Sequence, residues 1–319
     1  MPLYLDSNTG EAFCQEEIEL SDGKRDWKER KMESLRIARY MRYYDKPRSL
    51  KIEQCGTYLE FAIANDGKKL HKANFCRERM CPMCQWRRSI KLRVQADKIY
   101  GVEIERGYQH IFLTLTRRNM PAERLNSELD EMCVAFRRLI RMTDFKRSFV
   151  GYYRAIEITY NAEREDYHPH IHVMLTVPNE YFRPDNPDYW THDRFMLTWR
   201  DLLGLDYDPE VYIEAVYPKE GQTITKACAE MCKYPTKSGK IPNGKVLQAI
   251  DCALRNRRLI QWGGLTADIR RELALDDVEE GNLIHCEEAT ADGVDLQTVV
   301  YVWRYGFYCP MDVELLKAK

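Results

Sequence analysis

Two histidines, His170 and His172, have the spacing in this sequence that most directly predicts chemistry. Alternate residues of a β-strand project from the same face, so a strand within the run 167–177 would present both imidazoles side by side. A single histidine on such a strand is usually a hydrogen-bonded core residue, but two on one face favour half of a metal site. A third ligand from a neighbouring strand would leave positions open for substrate, as metal catalysis requires. The apolar residues predicted to enter the core are Ile171, Val173, Leu175 and Val177.

Glu157 is the candidate for the third ligand. It lies among apolar residues in a predicted strand over residues 149–160, and the polar segment 161–167 is predicted to turn that strand back into the histidine strand. A hairpin of this kind would bring Glu157 opposite or near His172. Two histidines and one carboxylate suit Mg²⁺ or Mn²⁺ when substrate phosphate supplies further oxygens, and Zn²⁺ could also enter the site. The alternative is a surface glutamate that pairs with a nearby arginine such as Arg154.

His168 has the same parity as the histidine pair, but Pro169 separates it from them. Because proline cannot donate to a strand ladder, we predict that Pro169 marks the start of the strand. His168 is therefore interpreted as a residue that faces substrate or supports a ligand. Direct metal binding by His168 stays open at this point.

Glu230 and Tyr234 are spaced to lie on one face of a helix. A phenol of pKa about 10 costs roughly 4 kcal/mol to ionise at pH 7, and a metal ion polarising a phosphodiester would offset part of that cost. Attack by Tyr234 would give a covalent phosphotyrosine that stores the energy of the cleaved linkage. Glu230 could then activate water, and Lys233 and Lys237 could bind phosphate. The alternative is ordinary chemistry of a helix end, where Pro235 would place Tyr234.

Four of the eleven cysteines form the pattern C-x20-C-x4-C-x2-C: Cys55, Cys76, Cys81 and Cys84. Four thiolates in a closed tetrahedral shell are what structural zinc takes, so the pattern predicts a zinc module. A redox pair at Cys81 and Cys84 is the alternative, but it would be expected beside a βαβ pattern. Arg87 and Arg88 follow the cysteines closely, which suggests phosphate contact, although binding to protein alone would look similar.

The elements that must position these residues alternate in the order β-α-β-β-α-β-α from residue 109 onward. This order predicts an α+β fold with an antiparallel-rich central sheet and flanking helices. We divide the chain into a basic N-terminal region with the four-cysteine module (1–100), a nuclease domain (101–240) and a C-terminal extension (241–319). Within the extension, the pattern predicts a helix over 247–260 and a strand over 299–303.

The composition is that of an ordinary globular protein. The chain has 319 residues, 44% of them hydrophobic, with a formal net charge of -1. It contains no apolar run that could span a bilayer and no charged leader before an apolar run at Met1, so we expect a cytoplasmic protein. Charge is uneven, with a basic segment at 24–51 and an acidic one at 276–295, which indicates either solvated helix faces or nucleic-acid contact.

Taken together, these motifs and their order resemble those of the rolling-circle replication initiators of small bacterial plasmids, in the HUH endonuclease superfamily. The resemblance covers most of the chain after about residue 50. It rests on 112–116, 168–173, the cysteine module around 79–84, Trp262-Gly263-Gly264, and the segment from Glu230 to Tyr234 with Lys237.

The resemblance implies a ferredoxin-like or RRM-like HUH fold in a bacterial cytoplasmic protein. It also implies a nick in one strand of a single-stranded or hairpin origin, with Tyr234 joined to the 5′ phosphate and a free 3′ hydroxyl to prime synthesis. In the branch that pairs a glutamate with a single tyrosine, Glu230 would promote the hydrolytic cut that ends a round. Host helicase and DNA polymerase are the implied partners.

Three other readings are compatible with parts of the pattern. An HUH transposase or relaxase would share the metal strand and the tyrosine, although transposases with such a cysteine module tend to carry a second tyrosine where Glu230 stands. A barrel metallohydrolase would need further metal-binding residues, and only His192 and His285 remain downstream. A zinc-dependent nucleic-acid-binding regulator without catalysis is the reading from a different class.

Overall fold

The structure, a computed structural model, describes residues 3–5, 12–14, 27–64, 67–217, 241–286 and 298–311. The strands in chain order are β1 (Leu3–Leu5), β2 (Ala12–Cys14), β3 (Tyr58–Ala64), β4 (Gly67–Ala73), β5 (Gln109–Thr116), β6 (Gly151–Asn161), β7 (Asp166–Val177), β8 (Val211–Val216), β9 (Ile260–Gly264), β10 (Thr298–Arg304) and β11 (Phe307–Met311). The helices are α1 (Trp27–Met41), α2 (Lys46–Gln54), α3 (Pro82–Glu105), α4 (Ala122–Leu139), α5 (Thr143–Ser148), α6 (His192–Leu203), α7 (Gly244–Leu254) and α8 (Leu265–Glu272), with a short 3₁₀ helix at Asn179–Phe182.

A five-stranded antiparallel sheet holds the histidine strand at its centre. Its order is β8-β5-β7-β6-β9, so β7 is flanked by β5 and β6. The intervening apolar residues of β7, from Ile171 to Val177, are fully buried. They pack with Met132, Phe136 and Leu139 of α4. The predicted helical spacing of α4 is confirmed, because Leu125, Leu129, Met132, Phe136 and Leu139 are all buried. The predicted α+β class with an antiparallel-rich sheet is therefore confirmed.

A second sheet joins the cysteine module to the C-terminal part of the described chain. Its order is β11-β10-β3-β4, so the C-terminal hairpin pairs with a strand of the cysteine module. The predicted strand over 299–303 is confirmed within β10. The C-terminal region thus supplies strands to both larger sheets, because β9 also pairs with the edge of β6.

The predicted helix over 247–260 is wrong at its C-terminal end. Helix α7 ends at Leu254, Arg255 is extended, and Asn256 has a positive φ of 59°, so the chain leaves the helix there. Ile260 instead begins β9. The adjoining glycines are required by close packing, since a Cβ on Gly263 would lie 2.1 Å from the Tyr152 ring and one on Gly264 would lie 2.2 Å from the Val150 carbonyl oxygen.

The prediction that Pro169 starts the histidine strand is also wrong. Strand β7 begins at Asp166, and Pro169 pairs with Ile158 of β6. Tyr167 exchanges backbone hydrogen bonds with Met120 on the β5 side of β7. The nitrogen of Pro169, two residues further on, faces the same side and carries no hydrogen to donate. Strand β5 has already ended there, at the pair of Thr116 with His170, and no donor is needed.

Candidate active site and four-cysteine centre

Three histidines of β7 lie on one face of the central sheet. The rings of His168 and His170 are 4.2 Å apart between centroids, and those of His170 and His172 are 5.7 Å apart and nearly parallel, at 7°. On the far side of His172 the ring of Phe112 stacks at 5.7 Å and 12°. The strand alternation therefore presents a row of rings that crosses from β7 to β5.

Glu157 contacts His172 directly. The register pairs Glu157 with His170 across the hairpin, and its Oε2 lies 2.9 Å from Nε2 of His172. Nδ1 of His172 lies 3.1 Å from the hydroxyl of Thr114 on β5. With Nε2 protonated, His172 donates to Glu157 and accepts from Thr114, so both ring nitrogens have partners. The predicted proximity of Glu157 and His172 agrees with this geometry, and the metal-ligand roles stay a prediction.

Arg154 does not neutralise Glu157. It is three residues away on the same strand, and so projects from the opposite face, where it is buried. Its Nη2 donates to the carbonyl of Arg258 at 2.7 Å. Arg154, the arginine named for the alternative ion pair, therefore does not pair with Glu157.

His168 belongs to the strand and to the histidine face. Burial lowers the pKa of its imidazole, and a hydrogen bond to the backbone carbonyl of Arg117 works in the opposite direction. His168 therefore lies within β7 and not before it. Pro169 is tolerated in β7 because β5 has already ended opposite it. Its role in metal or substrate binding stays a prediction.

The donor atoms of the histidine face match a metal ion in part. The 2.9 Å between the His172 and Glu157 donor atoms is close to the spacing of about 3.0 Å between adjacent ligands of an octahedral ion with bonds of about 2.1 Å. The side chains of His172 and Glu157 are 13% and 14% exposed, which leaves the face half-open. Among described residues, however, only the four-cysteine group has three or more potential ligand atoms within 4.8 Å of one another, so the histidine group is the more open one.

The four predicted cysteines converge on one point. Sγ of Cys84 lies 3.5 Å from Sγ of Cys55 and 3.7 Å from Sγ of Cys76, and all four sulfurs lie within 4.8 Å of one another. Zinc–sulfur bonds of about 2.3 Å in a tetrahedron give sulfur separations of about 3.8 Å. The set therefore fits a zinc ion, and a redox pair would not need the other two thiols.

The surroundings of Cys81 favour a thiolate, whereas hydrogen bonds with the neighbouring thiols raise the pKa of Cys55 and Cys84 well above the usual value. Cys81 is the N-cap residue of α3, where the helix dipole stabilises negative charge. Burial works to raise the pKa of Cys81, but hydrogen bonds from the other three thiols bring it well below its usual value. Lys31, fully buried, donates to the carbonyls of Glu53 and Cys55 at 2.6 and 2.7 Å. Its ammonium offsets part of the negative charge that a zinc ion with four thiolates carries, and nothing in the sequence pattern singled it out.

The basic residues that follow the cysteines bind protein. The guanidinium of Arg87 donates to the carbonyls of Leu283 and Ile284, at 2.9 and 2.7 Å. Arg88 and Lys91 are likewise engaged by the acidic segment 276–284, with Lys91 paired to Asp276. All three basic side chains are buried, so the phosphate-contact interpretation does not apply to them and the protein-contact alternative is correct.

Four predicted site residues lie outside the described residues: Glu230, Lys233, Tyr234 and Lys237. The described site also contains Thr114, which the sequence reasoning did not single out as functional. The alternation of Thr114 and Thr116 with leucines in β5 was the available signal, since it places both hydroxyls on the polar face.

Comparison with known proteins identifies the family. A family model described as replication protein matches residues 67–308. The chain belongs to this replication-protein family. Protein rep from Streptococcus pneumoniae serotype 2 (strain D39 / NCTC 7466) is 34% identical over 301 residues, which cover 91% of this chain and 93% of that protein. Protein rep from Bacillus amyloliquefaciens is 35% identical over 299 residues, covering 83% and 87%. Protein rep from Bacillus sp is 38% identical over 267 residues, covering 76% and 85%. No solved structure matches the chain significantly.

Membership of the replication-protein family confirms the resemblance to plasmid rolling-circle initiators. The matched region contains the whole histidine face and three of the four cysteines, since only Cys55 precedes it. This replication protein initiates plasmid replication, a function that requires binding of origin DNA. Within the described residues, no helix is long and apolar enough to cross a membrane.

Proposed function

We propose that this replication protein is a metal-dependent, site-specific endonuclease and strand transferase for single-stranded origin DNA. The observation that carries the proposal is the placement of His170, His172 and Glu157 on one half-open face, with His172 and Glu157 in contact at 2.9 Å. A rigid sheet with stacked imidazoles positions ligands far more reproducibly than a loop would. His172 and Glu157 are mostly buried but keep some exposed surface, as a site that must admit a DNA strand requires.

The proposed nucleophile is Tyr234. Its phenol oxygen attacks the scissile phosphorus and loses its proton, and the bond from phosphorus to the 3′ oxygen breaks. The products are a 5′-phosphotyrosyl linkage and a free 3′ hydroxyl that primes the host DNA polymerase behind a host helicase. A bound Mg²⁺ or Mn²⁺ would polarise the phosphate and stabilise the charge that develops on its oxygens.

The side chains of the described site hold the ligands in place. Thr114 contacts Nδ1 of His172 and fixes the orientation of its ring, so Nε2, which now contacts Glu157, is the nitrogen that would bind the ion. Binding of one ion by His170, His172 and Glu157 together requires rotation of side-chain bonds, because the His170 ring stands 5.7 Å from that of His172. His168 lies next in the row and is placed to contact the substrate or a ligand.

The remaining proposed roles belong to residues around Tyr234. Glu230 activates water for the hydrolytic cut that ends a round, and Lys233 and Lys237 bind the phosphate. The four-cysteine centre takes zinc in a purely structural role. A Glu230→Ala variant should therefore nick normally and fail to terminate, which a replication assay would reveal as products longer than one plasmid unit. Clean termination by this variant would remove Glu230 from the proposal.

The decisive experiment traps the covalent intermediate. Wild type and Tyr234→Phe are incubated with labelled single-stranded origin DNA and Mn²⁺, and the products are separated on a denaturing gel. We expect an adduct with wild type and none with Tyr234→Phe, while Tyr43→Phe, an exposed tyrosine elsewhere, behaves like wild type. An adduct that persists in Tyr234→Phe would mean that another residue is the nucleophile. DNA binding by wild type without any adduct across candidate origins would favour a non-catalytic regulator.

A further inference from the structure

Tyr212 is an exposed aromatic residue on the same face as the histidines. It lies on β8, an edge strand of the described sheet, and its pairing with Thr114 places it on the polar face. Its side chain is 51% exposed. The ring packs edge-on against Phe112 at 6.1 Å and 64°, and its hydroxyl donates to Glu214 at 2.5 Å. Two contacts therefore orient a ring whose surface is still open.

This ring extends the row of rings on the histidine face. Phe112 lies between Tyr212 on one side and His172 on the other, so aromatic surface runs without interruption from the β8 edge to the proposed metal ligands. Tyrosine is common on strands for packing reasons alone. A half-exposed, pre-oriented ring next to a site that handles single-stranded DNA is, however, the arrangement on which unpaired bases stack.

Arg118 lies just beyond the end of β5, next to Arg117, whose carbonyl accepts a hydrogen bond from the His168 ring. Its guanidinium lies 3.6 Å from the centre of the Tyr207 ring, and its backbone N–H donates to the Tyr207 hydroxyl at 3.0 Å. Stacking on an aromatic ring restrains the long side chain before any ligand arrives.

Arg118 differs from its neighbours in charge balance. Arg117, Arg124 and Arg164 all have carboxylate partners. For Arg118, which is exposed, no carboxylate within the described ranges lies within 4.0 Å. An ordered guanidinium that has no carboxylate partner among the described residues, and that lies beside a proposed phosphodiester-cleaving site, is suited to bind a phosphate.

We propose that Tyr212 and Arg118 form a single-stranded DNA track that leads to the histidine face over its β8 side. Tyr212 stacks on a base, and Arg118 binds a backbone phosphate. The carboxylates of Glu210 and Glu214 repel the phosphates from β8 itself, which turns the bases toward this strand. The track rests on the proposed function, because only a site that acts on single-stranded DNA needs it.

Binding measurements without added divalent metal test the track separately from cleavage. The probe is a fluorescein-labelled 20-mer of deoxythymidine, compared with an abasic strand of the same length, and the full chain is titrated by fluorescence polarisation. Tyr212→Ala should weaken binding of the deoxythymidine strand by at least about fivefold, the lower end of the loss for one stacked base. Tyr212→Phe should bind like wild type, and the loss in Tyr212→Ala should disappear on the abasic strand.

Arg118→Ala should weaken binding of both strands. It should also make the negative slope of log association constant against log salt concentration shallower by about 0.7. The controls are Tyr43→Ala, which removes an exposed ring elsewhere, and Arg147→Ala, which removes an exposed, ion-paired guanidinium elsewhere. Neither should change the affinity for either strand. Unchanged affinity in Tyr212→Ala, or an equal loss on the abasic strand, would overturn the stacking role. An unchanged salt slope in Arg118→Ala would overturn the phosphate role. The adduct assay with Tyr234→Phe is independent of these results, so a failure of the track and a failure of the nicking proposal are distinguishable.

Discussion

The four-cysteine centre and the histidine face are built in opposite ways. Cys55, Cys81 and Cys84 are fully buried, and their donor atoms already lie at the spacing of a tetrahedral shell. The histidine face is half-open, and its donor atoms are brought together only in part. A closed shell leaves no position for substrate and serves folding, whereas an open set of ligands serves chemistry. Burial and closure thus separate a structural centre from a candidate catalytic one within a single chain.

The two regions also differ in what holds them. The cysteine centre draws on distant segments, since Tyr308 of the C-terminal hairpin donates to the Gly56 carbonyl at 2.6 Å and Lys31 donates to the carbonyl of Cys55. The histidine face depends on adjacent strands, through Thr114 and Glu157. Damage to the first should therefore spread to the fold, and damage to the second should stay local.

The largest effect is expected from removal of one cysteine. Cys84→Ser should lower the bound zinc from one equivalent to none and cost several kcal/mol of stability, because the three remaining thiols, two of them fully buried, lose their common ion. Metal analysis and thermal unfolding measure both changes. Cys252→Ser, at an exposed cysteine outside the group, is the matched control and should leave both unchanged. Stoichiometric zinc in Cys84→Ser would break the comparison.

Replacement of a histidine should have the opposite effect, with a loss of activity and little change in zinc content or stability. His172→Ala should reduce nicking by about a thousandfold or more, since metal stabilisation of a phosphoryl transition state is worth several kcal/mol. Zinc content and the unfolding midpoint should stay close to those of wild type, because the site is half-open. Gel-based nicking rates and thermal unfolding are the measurements. A variant that loses zinc as well as activity would show that the two regions are one cooperative unit.

Much of the difference between the two regions could be predicted from the sequence, because it depends on local residue patterns. Strand alternation predicts the shared face of His170 and His172, a short polar loop predicts the hairpin that brings Glu157 to it, and close spacing predicts the cysteine cluster. Each of these depends on residues within one short stretch of the sequence, with separations of at most 29 residues.

The errors all arose where a distant segment decides the outcome. Pro169 is tolerated inside β7 because β5 ends before it, which the local sequence does not reveal. Ile260 leaves the helical pattern because it pairs with the edge of β6. Arg87 binds carbonyls almost 200 residues away, with a separation of 196 to Leu283, so its local basic context was misleading.

Thr114→Val sharpens the comparison with a smaller, local change. It keeps the shape of the side chain and removes the hydroxyl partner of His172 Nδ1, which should raise the Mn²⁺ concentration needed for half-maximal nicking by about 10- to 100-fold. Saturating metal should restore most of the rate. Thr116→Val is the control on the same face, since its hydroxyl donates to the Glu210 carbonyl instead. A loss of rate that metal does not rescue would assign Thr114 to another step.

The smallest effect concerns the ion pair between Asp276 and Lys91, called the brace below, which ties the acidic segment to α3 next to the cysteine centre. The Asp276 carboxylate accepts from Lys91, seven residues after Cys84 on α3, and from the backbone N–H of Asn282 at 2.8 Å. Burial works to raise the pKa of Asp276, but the hydrogen bond from Lys91 brings it below its usual value, so the pair stabilises the fold at neutral pH and loses this effect as the solution becomes acidic. Asp276 is 53% exposed, and Asp276→Asn should therefore cost under about 1 kcal/mol at pH 7, with a smaller difference at 1 M salt.

Asp276→Asn should also speed the transfer of zinc to a coloured chelator, while nicking stays at the wild-type rate, because the brace contacts α3 and not the histidine face. Asp268→Asn, which removes an exposed carboxylate paired with Arg271 one turn away, should change neither quantity. If Asp276→Asn slowed nicking as much as it sped zinc loss, the open and closed sites would share one support, and their separation into chemistry and folding would fail at this helix.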